Sequence, residues 1–237
     1  LNILLNIFRL TSYINKNNID IVHLNDSSAG LTWVIPTMLS KAKLIWHQRI
    51  VFPDWNLYKI LSFFSEKIIC ISDFVHKSLP KFNLNKSVTI YNPISLKIKK
   101  EKNFLLKKKY FFNKKEQKIL FLANIIESKR IDLFLKTAKN ILDKSSNIKF
   151  FIVGSNKKKI LDTKNINNYK KKIVYIGYSK EIEFWLKNCD LLLVTAENEG
   201  LNRTIVEGML SKIPVLAVNS GGHNEIIKNN FNGWLVP

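Results

Sequence analysis

Two glutamates near the C-terminal end of the chain have a spacing that could serve ligand binding. Glu199 directly precedes Gly200, and Glu207 falls within residues 203–212, whose apolar periodicity predicts a helix. Because a carboxylate only accepts hydrogen bonds, paired carboxylates suit a ligand with several hydroxyl groups, such as a sugar or ribose. The amides of residues 201–204 would form the helix N-terminus, where anions bind readily. The pattern predicts a pocket for a phosphate-bearing sugar, and it equally fits a surface-loop acid followed by an acid in a helical turn.

Two apolar runs flank these residues and predict parallel strands. The runs are Leu191–Val194 and Pro214–Val218, and the pair Gly221 and Gly222 follows the second run. Strand, loop, helix and strand in this order are typical of a parallel α/β sheet. Ligands of such sheets bind beyond the carboxyl ends of the strands. We therefore expect Glu199 and the glycine pair at the ligand-binding edge.

The alternation of apolar runs and helical periodicity extends over most of the chain. Further strands are predicted at Asp20–Leu24, Lys43–His47, Lys67–Ile71, Val88–Tyr91, Ile119–Ala123, Ile148–Val153 and Ile173–Gly177. Helices are predicted at residues 1–18, 27–41, 55–65, 74–79, 131–142 and 181–188. We expect residues 1–95 to form one domain, residues 118–237 to form a second domain with four or five parallel strands, and residues 96–117 to connect them.

The chain resembles a known family in its segment EGLNRTIVEGMLSKIPVLAVNSGGHNEII. This segment is similar to the donor-binding signature of the retaining glycosyltransferases of family four, also called glycosyl transferases group 1. The matching positions are Glu199, Glu207, Ile213–Val215, Gly221–Glu225 and Asn232–Val236. Looser matches in the first half are Asp20–His23, Ile71-Ser72 and Tyr91–Ile94. The resemblance implies a GT-B-like α/β fold, with two Rossmann-like domains whose parallel sheets face a cleft.

The resemblance also implies a reaction and roles for individual residues. The reaction would transfer a sugar from a nucleotide-diphosphate sugar to an acceptor hydroxyl with retention of configuration. Glu207 would accept hydrogen bonds from the ribose, Glu199 would bind the donor sugar, and His47 would contact that sugar from the other domain. Lys129 would stabilise the departing diphosphate. The other expected donor-binding residues are Asn124, Arg130, Gly177, Gly200, Leu201, Asn202 and Arg203.

The chain departs from the family pattern at two of these positions. Asn124 stands where the family usually has arginine, and Arg130 stands where it usually has glycine. One expected cation is therefore displaced. We predict that Arg130 substitutes for it, and an exposed helix start at Lys129 and Arg130 is the alternative. Similarly, His47 is either a sugar contact or a strand-end histidine bonded to backbone.

The strongly basic composition bears on the partners. The net charge is +20, yet only four of the 38 basic residues are arginines. Nucleic-acid recognition favours arginine for bidentate contacts, so we expect no specific nucleic-acid binding. Residues 97–118 combine lysines with aromatic residues and predict either a solvated helix or a patch on an anionic membrane. In the second case the inserting side chains would be Phe104, Leu105, Tyr110, Phe111 and Phe112.

No cofactor or metal is expected. Cys70 and Cys189 lie in or beside apolar runs, which predicts buried thiols, and the histidines and cysteines lack metal-ligand spacing. The nucleotide sugar would be a co-substrate, and the acceptor a glycan or a lipid-linked molecule. We expect a cytoplasmic enzyme, peripheral to the inner face of the membrane, in surface-polysaccharide or glycolipid assembly.

The sequence leaves two other functions open. A GT-B-type nucleotide-sugar epimerase would bind the same donor without an acceptor, and a basic binding protein could keep the fold without turnover. The family usually opens with a strand and a glycine-rich loop, and neither stands before Leu1. From that difference we expect a fragment that lacks sequence at both ends.

Overall fold

The computed structural model describes residues 2–51, 56–94, 104–110 and 115–237. The chain divides into two compact units, Leu1–Asn92 and Pro93–Pro237, which we call the N-terminal unit and the C-terminal unit. Each contains one parallel sheet, which confirms the predicted α/β class. Of the predicted connection, only residues 104–110 and 115–117 are described.

The N-terminal unit has a four-stranded sheet within its described residues. Its strands are β1 (Ile21–Leu24), β2 (Lys43–Gln48), β3 (Lys67–Cys70) and β4 (Ser87–Thr89), which neighbour one another in chain order. Its helices are α1 (Asn2–Lys16), α2 (Gly30–Met38), α3 (Asn56–Phe63) and α4 (Asp73–Lys77). These elements match the predicted ones apart from their ends. The 3-10 helix Lys81–Lys86 has no counterpart in the prediction.

Helix α2 begins later than the sequence predicts, at Gly30 instead of Ser27. The carboxylate of Asp26 accepts hydrogen bonds from the amides of Ser28 at 2.8 Å and Ala29 at 3.2 Å. An aspartate that bonds the following amides in this way holds a turn. Residues 26–29 are therefore held in that turn, and the helix starts after it.

The C-terminal unit has a six-stranded parallel sheet within its described residues, in the order β10-β9-β8-β5-β6-β7. The strands are β5 (Gln117–Leu122), β6 (Ile148–Val153), β7 (Ile173–Gly177), β8 (Leu191–Val194), β9 (Val215–Val218) and β10 (Trp234–Val236). The helices are α5 (Phe104–Tyr110), α6 (Ile131–Leu142), α7 (Ile182–Asn188), α8 (Arg203–Leu210) and α9 (His223–Ile226). The prediction of four or five strands is wrong, because β10 adds a strand that pairs with β9.

Both faces of this sheet are covered by apolar side chains. On one face Leu120 of β5 packs in a cluster with Trp185, and on the other face Phe121 packs with Phe134. A parallel sheet that is buried on both faces requires nearly continuous apolar strands, which is why β5, β6 and β8 are readable in the sequence. Burying one such side chain stabilises the fold by about 1.5–3 kcal/mol.

Helix α5 packs on the core of the C-terminal unit. The ring of Tyr110 lies 5.5 Å from the ring of Trp185 and 6.2 Å from that of Phe151, measured between centroids. The predicted insertion of Tyr110 into a membrane is therefore wrong, because its ring contacts the protein interior. The side chains of Phe104 and Leu105, and all of Phe111 and Phe112, lie outside the described residues. Across the described part of the chain, no helix is both long enough and apolar enough to cross a bilayer.

Candidate functional site

The strand order places a change of direction at β5. The chain runs from β5 to β6 and β7 on one side, and β8, β9 and β10 then extend the sheet on the other side. Loops that leave β5 and β8 diverge at this point and open a crevice at the carboxyl ends of the strands. Residues 123–130 follow β5 and residues 195–202 follow β8. The predicted ligand edge therefore coincides with the switch point of the sheet.

The loop after β8 is bonded to the glycine loop after β9. The amide of Gly222 donates to the carbonyl of Glu199 at 2.9 Å, and the amide of Asn198 donates to Ser220 Oγ at 3.0 Å. A Cβ atom on Gly221 would lie 2.5 Å from the carbonyl oxygen of Glu199. A Cβ atom on Gly222 would overlap the carbonyl of Gly200. The glycine pair is thus required for the close approach of two backbones.

Asn202 caps the N-terminus of α8. Its side chain is buried, and its Oδ1 accepts hydrogen bonds from the amides of Thr204 at 3.1 Å and Ile205 at 3.4 Å. An N-cap of this kind satisfies helix amides that have no partner within the helix. The amide of Thr204 is occupied by the cap. This corrects the expectation that the amides of residues 201–204 are all available to an anion.

Lys129 and Glu199 form an ion pair at the crevice. Lys129 Nζ lies 2.8 Å from Glu199 Oε1, and each side chain is about one-fifth exposed, at 19% and 20%. The hydroxyl of Thr195 donates to the carbonyl of Lys129 at 2.9 Å, and the amide of Glu197 donates to the carbonyl of Ser128 at 2.9 Å. These bonds hold the loop after β5 against the loop after β8. Two residues with separate predicted roles therefore lie in direct contact.

Arg130 lies apart from this pair. Its backbone is left-handed, with φ of 49° and ψ of 53°, a region that favours glycine. Its guanidinium donates to Asp132, with Nη2 3.0 Å from Oδ2, and to Glu197. These bonds raise the pKa of Arg130 and, from the other side, lower that of Asp132. The arginine lines a cavity with Leu135 and Ile160 that contains neither Lys129 nor Glu207.

Glu207 faces a cavity of about 240 Å³ at the carboxyl ends of β5 and β6. Asn124, Gly154, Tyr178 and Thr204 also line it. Burial raises the pKa of Glu207, and Arg203, whose Nη2 lies 3.5 Å from Glu207 Oε1, partly offsets this rise. A carboxylate that is partly shielded from water accepts hydrogen bonds strongly when it is ionised.

Three spaces adjoin along the crevice. A small space lined by Lys129, Asn202 and Thr204 shares Thr204 and Ala123 with the cavity of Glu207. That cavity shares Asn124 and Tyr178 with a larger one of about 540 Å³. The cation of Lys129 therefore borders the small space, the carboxylate of Glu207 borders the middle one, and the ring of Tyr178 borders both the middle and the larger one. This order suits an elongated ligand with an anionic end and a planar end.

The family model of glycosyl transferases group 1 matches residues 102–237, which is more than half of the chain. The chain belongs to this family.

Relatives of glycosyl transferases group 1 type match beyond that region. The capsular polysaccharide biosynthesis glycosyltransferase CapH of Staphylococcus aureus is 26% identical over 255 residues, which cover 97% of this chain and 69% of CapH. The uncharacterized glycosyltransferase MJ1178 of Methanocaldococcus jannaschii is 26% identical over 176 residues. That alignment covers 73% of this chain and 45% of MJ1178, so the chain spans less than half of that relative.

A solved structure shares the fold. Anabaena HepE in complex with UDP-glucose superposes with a TM-score of 0.85 at 16% identity, over 97% of this chain and 67% of HepE. At this identity the similarity establishes the fold alone. The predicted GT-B-like fold class is thereby confirmed for this member of glycosyl transferases group 1.

His47 lies in β2 of the N-terminal unit, one residue before the end of the strand. Its ring stacks on that of His23, with centroids 5.4 Å apart and planes 8° apart. Both ring nitrogens are shielded from solvent, and neither has a hydrogen-bond partner among the described residues. Burial lowers the pKa of His47, and the nearby charge of Arg49 lowers it further. The imidazole is therefore neutral near pH 7.

The remaining predicted residues take supporting positions, and some contributors were missed. Gly200 and Leu201 lie in the loop before the cap of α8, which begins at Arg203. The carbonyl of Gly177 accepts a hydrogen bond from Gly154 at 2.8 Å, which joins the ends of β7 and β6. The residues of the cavity of Glu207 that sequence reasoning missed are Gly154 and Tyr178. The signal for Tyr178 was its position directly after a predicted strand.

Metal-binding groups were also sought. Within the described ranges, no three His, Cys, Asp or Glu residues are placed to hold a metal ion together. Cys70 and Cys189 are both buried free thiols, and burial raises the pKa of Cys70 to about 12 and also raises that of Cys189. Such thiols remain protonated near neutral pH, so they are poor nucleophiles and poor ligands.

Proposed function

We propose that the chain carries the donor-binding unit of a glycosyltransferase that moves a sugar from a nucleoside-diphosphate sugar to an acceptor hydroxyl with retention of configuration. The observation that carries the proposal is the order of Lys129, Glu207 and Tyr178 along one crevice at the switch point of the sheet. Membership of glycosyl transferases group 1 supports the reaction class. HepE, which shares the fold, was solved with UDP-glucose.

The larger cavity and the cavity of Glu207 would hold the base and the ribose of a nucleoside-diphosphate sugar. The carboxylate of Glu207 would accept hydrogen bonds from the ribose hydroxyls. The ring of Tyr178 borders the larger cavity, where it would pack against the planar base. The diphosphate would then lie toward Lys129 and the N-terminus of α8, where a cation and the helix dipole both favour negative charge.

Donor binding would exchange the partners of the ion pair. Lys129 and Glu199 neutralise each other at 2.8 Å. With a donor in place, Lys129 would turn to the diphosphate and Glu199 would accept hydrogen bonds from the sugar hydroxyls. When the bond between the anomeric carbon and the diphosphate breaks, its electron pair stays on the diphosphate. Lys129 would stabilise that charge, so the proposed reaction needs no metal ion.

The N-terminal unit would supply the second contact to the sugar. The neutral ring of His47 has one nitrogen that donates and one that accepts, which suits a hydroxyl group. The acceptor would be a glycan or a lipid-linked molecule, reached at an anionic membrane surface on the cytoplasmic side. CapH is named for capsular polysaccharide biosynthesis, which supports surface-polysaccharide assembly as the pathway class.

The test is calorimetric titration of the chain with UDP, GDP and their sugar conjugates, with ATP as a control. We expect one nucleoside diphosphate to bind and Glu207→Gln to weaken it by about tenfold or more, since hydrogen bonds to charged groups contribute about 1.5–3 kcal/mol. Glu66→Gln, at an exposed glutamate of the N-terminal unit, serves as the control and should bind like wild type. Unchanged affinity in Glu207→Gln would refute the assignment of the ribose site.

A further inference from the structure

A buried histidine outside the assigned donor contacts is bonded to the cap of α8. His223 has no exposed surface, its Nδ1 lies 2.8 Å from the carbonyl oxygen of Val218, and its Nε2 lies 3.2 Å from Asn202 Nδ2. A carbonyl oxygen only accepts, so Nδ1 must carry the proton. Nε2 is then the acceptor for the amide group of Asn202. One tautomer of His223 satisfies both bonds.

The orientation of Asn202 is determined independently from its other side. Its Oδ1 accepts from the backbone amides of Thr204 and Ile205, which can only donate. Its Nδ2 must therefore point to His223. Every donor in this hydrogen-bond network has an acceptor. The network links the end of β9 through His223 and the cap to the first turn of α8.

The same histidine lies close to the proposed phosphate end of the crevice. Its pKa is lowered, mainly by burial, while the charges of Glu199 and Lys129 act on it in opposite directions. His223 follows the glycine loop after β9, and this loop is bonded to the loop that carries Glu199, since the amide of Gly222 donates to the Glu199 carbonyl at 2.9 Å. Any shift of His223 would therefore move both the cap of α8 and the backbone of Glu199.

We propose that His223 is a positioning residue for the donor diphosphate: through Asn202 it fixes the N-terminus of α8 and the Glu199 loop in the geometry that the phosphates require. This inference rests on the proposed function. His223 does not touch the ligand in this account. Its removal should weaken ligands that carry phosphates and leave the binding of the nucleoside part unchanged, because Glu207 and Tyr178 lie in other spaces of the crevice.

The experiment measures the dissociation constants of UDP, GDP and the matching nucleosides for the whole chain and its variants. In His223→Ala, nucleoside-diphosphate affinity should fall about tenfold, the effect of one lost buried hydrogen bond and its unpaired partner. Nucleoside affinity should change less than about twofold, within the error of such comparisons. His223→Gln keeps an acceptor for Asn202 and should restore most of the lost affinity. His76→Gln, which removes a histidine bonded to Ser87 in the N-terminal unit, is the control.

A second variant keeps the test valid if His223→Ala does not fold. Asn202→Ser retains a capping oxygen and loses only the bond to His223. It should show the same selective loss of nucleoside-diphosphate affinity. Where His223→Ala does fold, combining the two changes should cause no further loss, because the two residues act through one bond. In wild type, long-range ¹H–¹⁵N spectra should show the proton of His223 on Nδ1.

The outcomes separate the inference from the function on which it rests. If wild type binds no nucleoside diphosphate, the proposed function fails and this inference fails with it. If wild type binds but His223→Ala binds equally well, the function stands and the inference is overturned. Equal losses for nucleoside and nucleoside diphosphate would also overturn it, since they would show a general structural defect.

Discussion

The carboxyl ends of the strands are built differently in the two units. In the C-terminal unit the functional groups are bonded to one another: Lys129 pairs with Glu199, and Asn202 is bonded to His223. In the N-terminal unit, His47 stacks on His23 but has no hydrogen-bond partner among the described residues. The first edge is held together by contacts between its own side chains, and the second contains a histidine whose buried ring nitrogens are unsatisfied.

The neighbour of His47 shows that the N-terminal unit can also satisfy a buried polar group. Gln48 is buried, and its Oε1 accepts from Ser27 at 3.0 Å and from the indole of Trp46 at 2.7 Å. Its Nε2 donates to the carbonyl of Ile50 at 2.8 Å. His47 differs from this adjacent residue, and a buried group that lacks a partner typically costs about 1–3 kcal/mol. Changes in the C-terminal unit should therefore affect stability and binding together, and changes at His47 should affect turnover without affecting nucleotide binding.

The largest effect is expected from Gly222→Ala. The new Cβ atom would overlap the carbonyl of Gly200, and backbone cannot move aside as a side chain can. We expect the free energy of unfolding to fall by about 1–3 kcal/mol and nucleotide binding to be lost. Gly30→Ala is the control in the other unit, because its Cβ would lie 2.6 Å from the ring of Trp46. Urea unfolding and calorimetry should show lost stability in both variants and lost nucleotide affinity only in Gly222→Ala.

The next effect distinguishes two adjacent cations. Lys129→Met should weaken nucleoside-diphosphate binding by about tenfold or more, because a charge-assisted contact to phosphate is lost. Arg130→Met should change that affinity by less than about threefold. A side chain that does not contact the ligand should change the binding free energy by less than about 0.7 kcal/mol. The Arg130→Met change should instead lower the stability of the loop after β5, because Arg130 is bonded there to Asp132 and Glu197. Equal losses of affinity in the two variants would mean that Arg130 takes the displaced role predicted from the sequence.

The smallest effect on binding is expected from His47→Phe. The variant should bind nucleoside diphosphate like wild type and transfer sugar about 10–100 times more slowly, the range typical of a lost polar contact in the transition state.

The pKa of His47 is lowered in the folded state, so its stabilising contribution is present above the unfolded pKa and is lost as the pH falls through the folded value. The phenylalanine variant should lose less stability than wild type between neutral and mildly acidic pH. A thermal melt at several pH values checks this, and His23→Phe tests the stacking partner.

The order of strands and helices was predictable because buried parallel strands are continuous apolar runs. Helix α6 and strands β6, β7 and β8 have the bounds that the sequence predicts. Glu207 and Lys129 were likewise found at the expected edge, since topology alone sends strand ends there. The prediction did not count β10 as the sixth strand of the sheet, because three residues after a glycine give only a weak strand pattern.

The contacts between loops could not be predicted. Asn202 and His223 are 21 residues apart, and nothing in either residue type indicates the other as its partner. The ion pair of Lys129 with Glu199 depends on how two loops from different strands meet. Arg130 was expected beside the phosphate on residue type, but its left-handed backbone and two acidic neighbours direct it to another cavity. For Tyr110 the composition left a solvated helix and a membrane patch open, and neither alternative included its packing against Trp185.

The central position of β5 has a consequence for the order of folding events. Its pairing with β6 joins nearby parts of the chain, whereas its pairing with β8 brings Ile119 against Leu191 across a long intervening segment. Loop-closure entropy makes such distant pairings slow to form. The crevice exists only after β8 has docked on β5, so the β5–β6–β7 half can assemble without creating it. In a refolding experiment, recovery of nucleotide affinity should lag behind recovery of helical signal.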